Sequence, residues 1–331
     1  MMPSMRTRPL GATGLDVTEV GYGGWGLGGD MWLGVDEAEG RRALEEALKC
    51  GVRFFDTALV YGNGHSEKMI AAVLKDTRMR GQAVVATKIP PRNMQWPGSG
   101  ERPLRETFPA RHVVQAVETS LRNLGDEALQ LQQLHVWHDR WLDDPEWQET
   151  RAAMERLKEQ GRVLHWGISI NDHAPETALK ALEDPLFETA QVIYNIYDRS
   201  PERALFPLAG RRNLGIIVRV PLDEGALTGA IDATTTFPKG DWREEYFAGT
   251  RRAEAGRRAN ALKELLGDEA ETLPELALRF TLSRPEVSTV IPGMRRAKHV
   301  AANAAVADGR ALSQASIARL ADHAWEKNWY D

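Results

Sequence analysis

The sequence predicts one domain over residues 1–331, folded as a parallel (β/α)8 barrel (a TIM barrel) with an N-terminal β-hairpin and extra C-terminal helices. Two observations support this fold: short apolar runs alternate with segments of helical spacing, and eight such runs can be counted. A doubly wound open sheet is the alternative. The glycine-rich run at 21–29 does not open the first predicted helix, which begins only at residue 36, as the Gly-x-Gly-x-x-Gly segment of an open dinucleotide-binding sheet would, so the open sheet has less support.

The chain begins with a predicted hairpin over residues 8–17, with its turn at 12–14, which we expect to close one end of the barrel. A glycine-rich run follows at 21–29, where missing side chains let a ligand approach the backbone closely. The eight barrel strands are expected at residues 17–21, 53–57, 82–87, 128–136, 163–169, 190–195, 215–220 and 287–291. Helix-bearing segments separate them, so the sheet should be parallel.

The helices are predicted from apolar residues at helical spacing, such as Ala43, Leu44, Ala47 and Leu48, and from glycines that stop them, such as Gly125. They are expected at residues 36–49, 66–74, 110–124, 146–160, 175–182, 201–211, 252–266, 273–283, 297–306 and 313–325. Two long segments, 90–109 and 221–250, remain as loops. Long loops in compact domains are often functional, so we expect the first of them to border a pocket.

Composition excludes several classes of protein. The formal net charge is −5 and the basic residues are scattered, so neither nucleic acid nor an acidic membrane surface is an expected partner, and a small molecule is. Cys50 is the only cysteine, which excludes intramolecular disulfides and cysteine zinc clusters and fits a reducing compartment. The chain has no apolar leader and no uncharged apolar run of membrane-spanning length, so we expect a cytoplasmic protein. The oligomeric state is left open.

Polar residues end several of the predicted strands. Asp56 follows two phenylalanines, Lys88 follows the third strand, and His135 and Ser169 end later apolar runs. Tyr61 lies five residues beyond Asp56 in a turn-rich segment. Catalytic groups of a barrel come from the C-terminal ends of several strands, so an acid, an amine, an imidazole and a phenol are expected at one mouth.

These residues resemble the aldo-keto reductase superfamily, and the resemblance covers nearly the whole chain. The matching stretches are Asp56-Thr57-Ala58, Tyr61-Gly62, Gly64-His65-Ser66-Glu67, Thr87-Lys88, Leu121-Arg122-Asn123-Leu124-Gly125 leading to Leu134-His135, and Ile291-Pro292-Gly293. The resemblance implies an enzyme with long active-site loops that reduces the carbonyl of an aldehyde or ketone to an alcohol, by hydride transfer from NADPH.

The resemblance also assigns roles. Tyr61 would be the general acid, His135 a hydrogen-bond donor, and Lys88 the cation that eases loss of the tyrosine proton. Asp56 would pair with Lys88 and offset the cost of burying its charge. Simpler interpretations stay open: Asp56 and Lys88 as a structural ion pair, Tyr61 as a packed aromatic residue, and His138 in place of His135. The two histidines lack the carboxylate-rich neighbours of a metal site.

The residues that bind the cofactor in the family match this sequence less completely. Ser169 matches the family, but Ile170 stands where an asparagine that holds the nicotinamide amide is usual, which leaves Asn171 as a candidate. Gln191 matches a second carboxamide contact. Arg219 replaces an aromatic residue that stacks on the nicotinamide, and its planar guanidinium could stack instead. Further expected cofactor contacts are Gly24 and Trp25 in the glycine-rich run, and Pro221, Leu222, Gly225 and Leu227 after the seventh strand.

The segment after the eighth strand gathers backbone N–H groups and cations at the start of a helix, which suits a phosphate. Pro292, Gly293 and Arg295 are the expected contacts, with His299 where arginine is common and Asn303 at the adenine. This pattern favours NADP over NAD, although a solvated run of charges is the simpler interpretation.

The loops that set substrate choice vary freely on this fold, so the substrate is the least determined feature. Trp25, Trp32, Trp137 and Trp141 are candidate pocket walls, and polar neighbours of these tryptophans, including Asp30, Asp139 and Arg140, suggest a polar, sugar-like carbonyl compound. A different kind of function is also open: a cofactor-sensing subunit of the same fold that works by binding a partner, like the β-subunits of potassium channels.

Overall fold

A computed structural model describes residues 5–34 and 36–330. Eight parallel strands pair in chain order, each with the next. They are β3 (Tyr22–Gly23), β4 (Phe54–Asp56), β5 (Val84–Ile89), β6 (Leu129–Leu134), β7 (Val163–Ser169), β8 (Phe187–Ile193), β9 (Gly215–Arg219) and β10 (Val287–Val290). Parallel bridges from Val20 to Val290 and from Gly23 to Gly293 join the last strand to the first. The predicted (β/α)8 barrel is confirmed.

The N-terminal hairpin consists of β1 (Thr7–Pro9) and β2 (Asp16–Thr18), joined through a short 3-10 turn. Its Leu10 and Val17 side chains are fully buried and pack against Phe54 inside the lower barrel, so the hairpin closes that end as predicted. The predicted first barrel strand at 17–21 is correct only in part. Residues 16–18 pair within the hairpin, and Val20 bridges to Val290 of the barrel. The first barrel strand itself, Tyr22–Gly23, lies in the glycine-rich run.

Helices surround the barrel, and their buried apolar residues form one hydrophobic core with those of the strands. They are α1 (Glu37–Lys49), α2 (His65–Asp76), α3 (Leu104–Thr107), α4 (Ala110–Leu124), α5 (Trp147–Glu159), α6 (Leu205–Arg212), α7 (Trp242–Tyr246), α8 (Arg251–Leu262), α9 (Leu273–Leu282), α10 (Ala297–Ala304) and α11 (Gln314–Ala321). Asp36 caps α1 by accepting the amide of Glu39, and Gly125 ends α4 in a left-handed conformation.

Two helix predictions fail at particular contacts. The segment predicted as a helix at 175–182 forms two short 3-10 turns, because the carboxylate of Asp139 binds the amides of Lys180 and Ala181 and so takes them from a helical ladder. The last helix ends at Ala321 instead of 325, and the chain continues as a tail that packs on the barrel mouth.

The C-terminal ends of the strands form that mouth, and long loops cover it. Residues 90–109 include the short α3, and residues 221–250 include α7. The two loops that follow β3 and β9 touch each other, since the amide of Trp242 donates to the Met31 carbonyl at 2.9 Å and the Leu33 amide donates to Asp241 at 3.0 Å. In the described part of the chain, no helix has the length and apolar character needed to cross a membrane.

Candidate active site

A buried ion pair lies at the centre of the mouth. Asp56 ends β4, Lys88 lies near the end of β5, and Lys88 Nζ is 2.6 Å from Asp56 Oδ2 while both side chains are at most 4% exposed. Lys88 also donates to the Thr57 carbonyl at 2.8 Å, and Gln191 donates to Asp56 Oδ1 at 2.7 Å. These hydrogen bonds offset part of the cost of removing two charges from water.

Tyr61 lies beside this pair. Its hydroxyl oxygen is 3.4 Å from Lys88 Nζ, and the ammonium is also 5.1 Å from the centre of the ring. The turn is tight because the backbones of Gly62 and Gly28 approach so closely that a Cβ on Gly62 would lie 2.4 Å from the Gly28 oxygen. Burial and then the charge of Asp56 raise the pKa of Tyr61 well above its ordinary value. The phenol therefore keeps its proton in the resting site.

His135 follows β6 directly and lies on the other side of Tyr61, with 5.6 Å between ring centres. Its Nδ1 is buried and has no hydrogen-bond partner within residues 5–34 and 36–330. Burial, followed by the charges of Lys88 and Arg219, lowers the pKa of His135 well below its usual range, so the imidazole is neutral. His138 instead accepts the amide of Arg140 at the start of a 3-10 turn. The structure places His135, and not His138, beside Tyr61.

No three His, Cys, Asp or Glu side chains gather at a potential metal site in the ranges that the structure covers. Glu67, which lies in the matching stretch at 64–67, has a structural role. Glu67 is fully buried, accepts the hydroxyl of Thr87 at 2.6 Å and accepts the amide of Asn123 at 2.7 Å. It therefore links α2 to β5 and α4.

The end of β7 departs from our expectation at one position. Ser169 is buried at the strand end, as is Gln191 in the neighbouring β8. The carboxamide of Asn171, however, donates to the carbonyls of Gly98 and Trp137 at 2.8 and 2.9 Å and accepts the Gly98 amide at 2.9 Å. Asn171 thus holds the 90–109 loop and does not offer the free carboxamide that a cofactor contact needs.

Arg219 ends β9 and reaches across the mouth. Its Nη2 donates to Asp172 Oδ1 at 2.7 Å and to the Ile170 carbonyl at 2.9 Å. Its Nε is buried and has no hydrogen-bond partner among the residues described. The backbone beyond it is strained, because Val220 and Glu224 have φ of 54° and 55°, a region that a β-branched residue such as valine rarely adopts.

The strained turn contains the four other residues that we predicted to contact a cofactor after this strand. Pro221 and Leu227 are buried, and the Leu222 carbonyl accepts the amides of Gly225 and Leu227. Gly225 has φ of 106°, which suits glycine. The turn is therefore a compact, ordered element at the C-terminal end of β9.

The segment after β10 gathers cations. Gly293 is exposed, and a Cβ there would meet no atom within 4 Å, so the backbone faces open space. Arg295 lies against the loop after β3, with its guanidinium 5.1 Å from the Trp32 ring centre and a bond to the Leu33 carbonyl at 3.1 Å. His299 lies in the first turn of α10, and burial and the nearby cations lower its pKa. Asn303, one turn further, is 5% exposed.

Aromatic side chains line the mouth, but only some of those we expected. Trp25 is 6.5 Å from the Tyr61 ring and 5.6 Å from Trp32, and the neighbouring Gly24 donates its amide to the Asp56 carbonyl at 2.8 Å. Trp137 and Trp141 are not walls. They are almost fully buried and pack against other core rings such as Trp147, Phe187 and Phe108.

Three further aromatic residues near the mouth were not predicted from the sequence. Trp96 is 42% exposed and its ring lies 4.7 Å from His135, Trp242 lies 5.2 Å from Trp25, and Tyr330 lies 5.7 Å from Trp242. Trp96 and Trp242 lie in the two loops that the sequence marked as long, which was the available signal. Nothing in the local sequence around Tyr330 indicated its position.

The C-terminal tail stabilises the loop that follows β9. Lys327 pairs with the buried Asp223 at 2.9 Å, and the Tyr330 hydroxyl donates to Glu224 Oε1 at 2.5 Å. Burial raises the pKa of Glu224 to about 7. The tail and the strained turn are therefore one packed unit.

This barrel brings Asp56, Lys88, Tyr61 and His135 together at one mouth. Residues 19–324 match the Aldo/keto reductase family. The chain belongs to that family. Aldo/keto reductases are oxidoreductases, and the family typically uses nicotinamide cofactors.

Curated aldo/keto reductase relatives span most of the chain. The chain is 29% identical over 329 residues to the NADH-specific methylglyoxal reductase of Escherichia coli, covering 91% of this chain and 93% of that protein. It is 28% identical over 315 residues to a probable voltage-gated potassium channel subunit beta of Oryza sativa, covering 90% of each.

Among solved structures, the holo form of aldo-keto reductase AKR11C1 from Bacillus halodurans superimposes with a TM-score of 0.75 at 28% identity, covering 99% of this chain and all of that one.

Proposed function

We propose that this aldo/keto reductase reduces the carbonyl group of an aldehyde or ketone to an alcohol with NADPH, and that Tyr61 is the general acid. The observation that carries the proposal is the contact of one buried ammonium, Lys88, with both Asp56 and the Tyr61 hydroxyl, at 2.6 and 3.4 Å. A structural ion pair alone would give no reason for a phenol and a neutral imidazole to lie at the same point.

Several observations fit a bound nicotinamide nucleotide. Cations and an open glycine backbone lie at the start of α10, which suits phosphate groups. Across the mouth, Arg219 Nε is a buried donor without a partner among the described residues, which an added ligand would satisfy. The bound reduced nicotinamide would supply a hydride to the carbonyl carbon.

The chain's own residues then handle the charge on the carbonyl oxygen. Tyr61 holds its proton until that oxygen becomes an alkoxide, which is a far stronger base than a phenolate, and then gives it up. Lys88 stabilises the phenolate that remains, and Asp56 keeps Lys88 in place. His135 is neutral and donates one N–H to the same oxygen as its negative charge develops.

We favour NADPH over NADH because Arg295, Arg296 and Lys298 cluster at the start of α10, where a 2′-phosphate would be neutralised. The E. coli relative that is named NADH-specific is the reason to measure both cofactors. In this proposal Ser169, Gln191 and the turn after β9 contact the nicotinamide half, and Asn303 contacts the adenine.

The substrate is proposed to be a small polar carbonyl compound, with sugar-like compounds included. Trp25 and Trp96 lie on the two sides of the Tyr61 and His135 pair and would cover a compact substrate. The methylglyoxal reductase relative acts on a small carbonyl compound, which agrees with this size. The single cysteine fits a cytoplasmic location.

The test is to follow the absorbance of reduced nicotinamide with purified protein, NADPH or NADH, and a panel of aldehydes, ketones and sugars. Tyr61→Phe should lower kcat by roughly 10²–10⁴-fold while NADPH still binds, since only the acid is removed. The matched control is Tyr22→Phe, which deletes a buried hydroxyl that has no hydrogen-bond partner in the described ranges and should leave turnover unchanged. Undiminished turnover by Tyr61→Phe contradicts the role of Tyr61.

A second candidate is favoured by the relationship to potassium channel β-subunits: a cofactor-sensing subunit with little turnover. It predicts tight binding of NADPH, no oxidation of it with any carbonyl on the panel, and a partner recovered with the cofactor-loaded protein. Turnover of any carbonyl at ordinary enzyme rates rejects this candidate.

A further inference from the structure

The guanidinium of Arg219 is held in place from one side only. Nη2 makes both of the bonds described above, to the carboxylate of Asp172 and to the backbone of Ile170. The Nε–H is buried and unpaired among the described residues, although leaving a buried donor unpaired is costly. An arginine fixed in this way, with its buried Nε–H unused, is arranged for a ligand that supplies an acceptor.

The position of Arg219 in the barrel indicates which ligand. The catalytic groups Asp56, Lys88 and His135 come from β4, β5 and the end of β6. Arg219 comes from β9, which pairs with β10 on one side and β8 on the other. The cation cluster for phosphates follows β10, the strand next to β9. The charge of Arg219 acts on Tyr61, Lys88 and His135, so its guanidinium lies within electrostatic reach of the catalytic groups. A cofactor that extends from the cation cluster to these groups can therefore bring its nicotinamide close to Arg219.

Charge decides what kind of acceptor fits. Asp172 already pairs with Arg219, and the buried Glu224 lies close enough for its charge to act on both. A second anion, such as the carboxylate of an acidic substrate, would be repelled by these acids. A neutral carbonyl oxygen needs only the N–H and is not repelled.

The two other side chains that we expected to bind an amide already use their amide N–H groups. Asn171 uses its carboxamide on Gly98 and Trp137. The amide nitrogen of Gln191 donates to Asp56 at 2.7 Å and approaches Gln133 at 3.4 Å. Of the three candidates, Arg219 is the one with a free buried donor.

We propose that Arg219 is a positioning residue for the nicotinamide ring, whose carboxamide oxygen accepts the Nε–H of Arg219. This rests on the proposed function, because it requires a nicotinamide nucleotide in the mouth. Asp172 and the Ile170 carbonyl orient the guanidinium, and the ring is thereby held at one angle to Tyr61.

Binding of four probes to the full chain tests it by calorimetry: NADPH, NADP⁺, thionicotinamide NADP⁺, and 2′-phospho-ADP-ribose, which lacks the nicotinamide. Arg219→Met should weaken NADPH and NADP⁺ roughly tenfold or more and leave 2′-phospho-ADP-ribose unchanged. The wild type should prefer NADP⁺ to its thio analogue, whose sulfur is a poor acceptor, and the variant should lose that preference.

Two further variants protect the test. Arg219→Lys keeps a cation for Asp172, so this variant should fold even if Arg219→Met does not. It lacks the Nε donor, so it should show the same selective weakening of NADPH and NADP⁺ binding. Arg151→Met removes an arginine that pairs with Asp184 on the outside of α5, and should change no dissociation constant.

Each remaining outcome overturns the inference in a recognisable way. Equal weakening of NADPH and 2′-phospho-ADP-ribose moves Arg219 to the phosphates. Unchanged nucleotide binding with a raised KM for keto acids alone makes it a substrate contact. If the wild type binds 2′-phospho-ADP-ribose as tightly as NADPH, the nicotinamide is not held at all. If it binds no nicotinamide nucleotide, the proposed function fails together with this inference.

Discussion

Glu224 should make the stability of this protein depend on pH in a way that one substitution removes. Its carboxyl is 7% exposed and accepts the Tyr330 hydroxyl at 2.5 Å. Burial raises the pKa of Glu224 from 4.5 to about 7. Glu224→Gln keeps the size and the acceptor for Tyr330 but cannot ionise.

The sign follows from proton binding. Between about pH 4.5 and pH 7 the folded protein holds a proton on Glu224 that the unfolded chain has released, so the free energy of unfolding falls as pH rises through this window. About 2.5 pH units at roughly 1.4 kcal/mol each give about 3 kcal/mol. Wild type and Glu224→Gln should be equally stable near pH 4.5, and the variant should be about 3 kcal/mol more stable above about pH 8.

Urea unfolding followed by tryptophan fluorescence at several pH values measures this difference directly. Glu202 is the matched control, because it also accepts a tyrosine hydroxyl, from Tyr194 at 2.6 Å, but pairs with Arg199. Although burial raises the pKa of Glu202, the hydrogen bonds from Arg199 and Tyr194 and the charges of Arg199 and Arg284 together outweigh it, and the pKa is lowered. Glu202→Gln should therefore lose stability relative to wild type as pH rises. A gap between wild type and Glu224→Gln that does not change with pH refutes the reasoning.

Three further predictions concern the mouth. Lys88→Met should lower the free energy of unfolding by about 3–5 kcal/mol, because Asp56 stays buried without its cation. Adding Asp56→Asn to the same chain should recover part of this loss, measured by urea unfolding. If nothing is recovered, Asp56 and Lys88 do not stabilise the fold as an ion pair. Arg295→Ala should raise the dissociation constant of NADPH roughly tenfold and that of NADH much less; equal losses place the 2′-phosphate elsewhere. Asn171→Ala should lower the free energy of unfolding by about 2 kcal/mol, because the polar groups of Gly98 lose their partners. The same change should leave the dissociation constant of NADPH within about twofold of the wild-type value. A large loss of NADPH binding would instead show that Asn171 contacts the cofactor.

Local pattern in the sequence was enough for most of the fold. Helix α4 and strand β7 have the predicted bounds, because each has a clear apolar period and a terminating glycine or polar residue. The prediction failed where a distant contact overrides local preference. The first barrel strand has only two residues, Tyr22 and Gly23, and exists because β4 and the end of β10 offer pairing partners on both sides.

The sequence by itself determined the barrel, the family and the polar residues that end the strands, because polar groups at the ends of apolar strands are visible one segment at a time. Tertiary structure alone decided how those residues are used. It placed His135 rather than His138 beside Tyr61 and buried Trp137 and Trp141 in the core. The carboxamide of Asn171 binds the 90–109 loop, and Tyr330 contacts Glu224, which lies 106 positions away in the chain. Each of these outcomes depends on distances between segments that meet only when the barrel closes, and no periodicity within a segment encodes them.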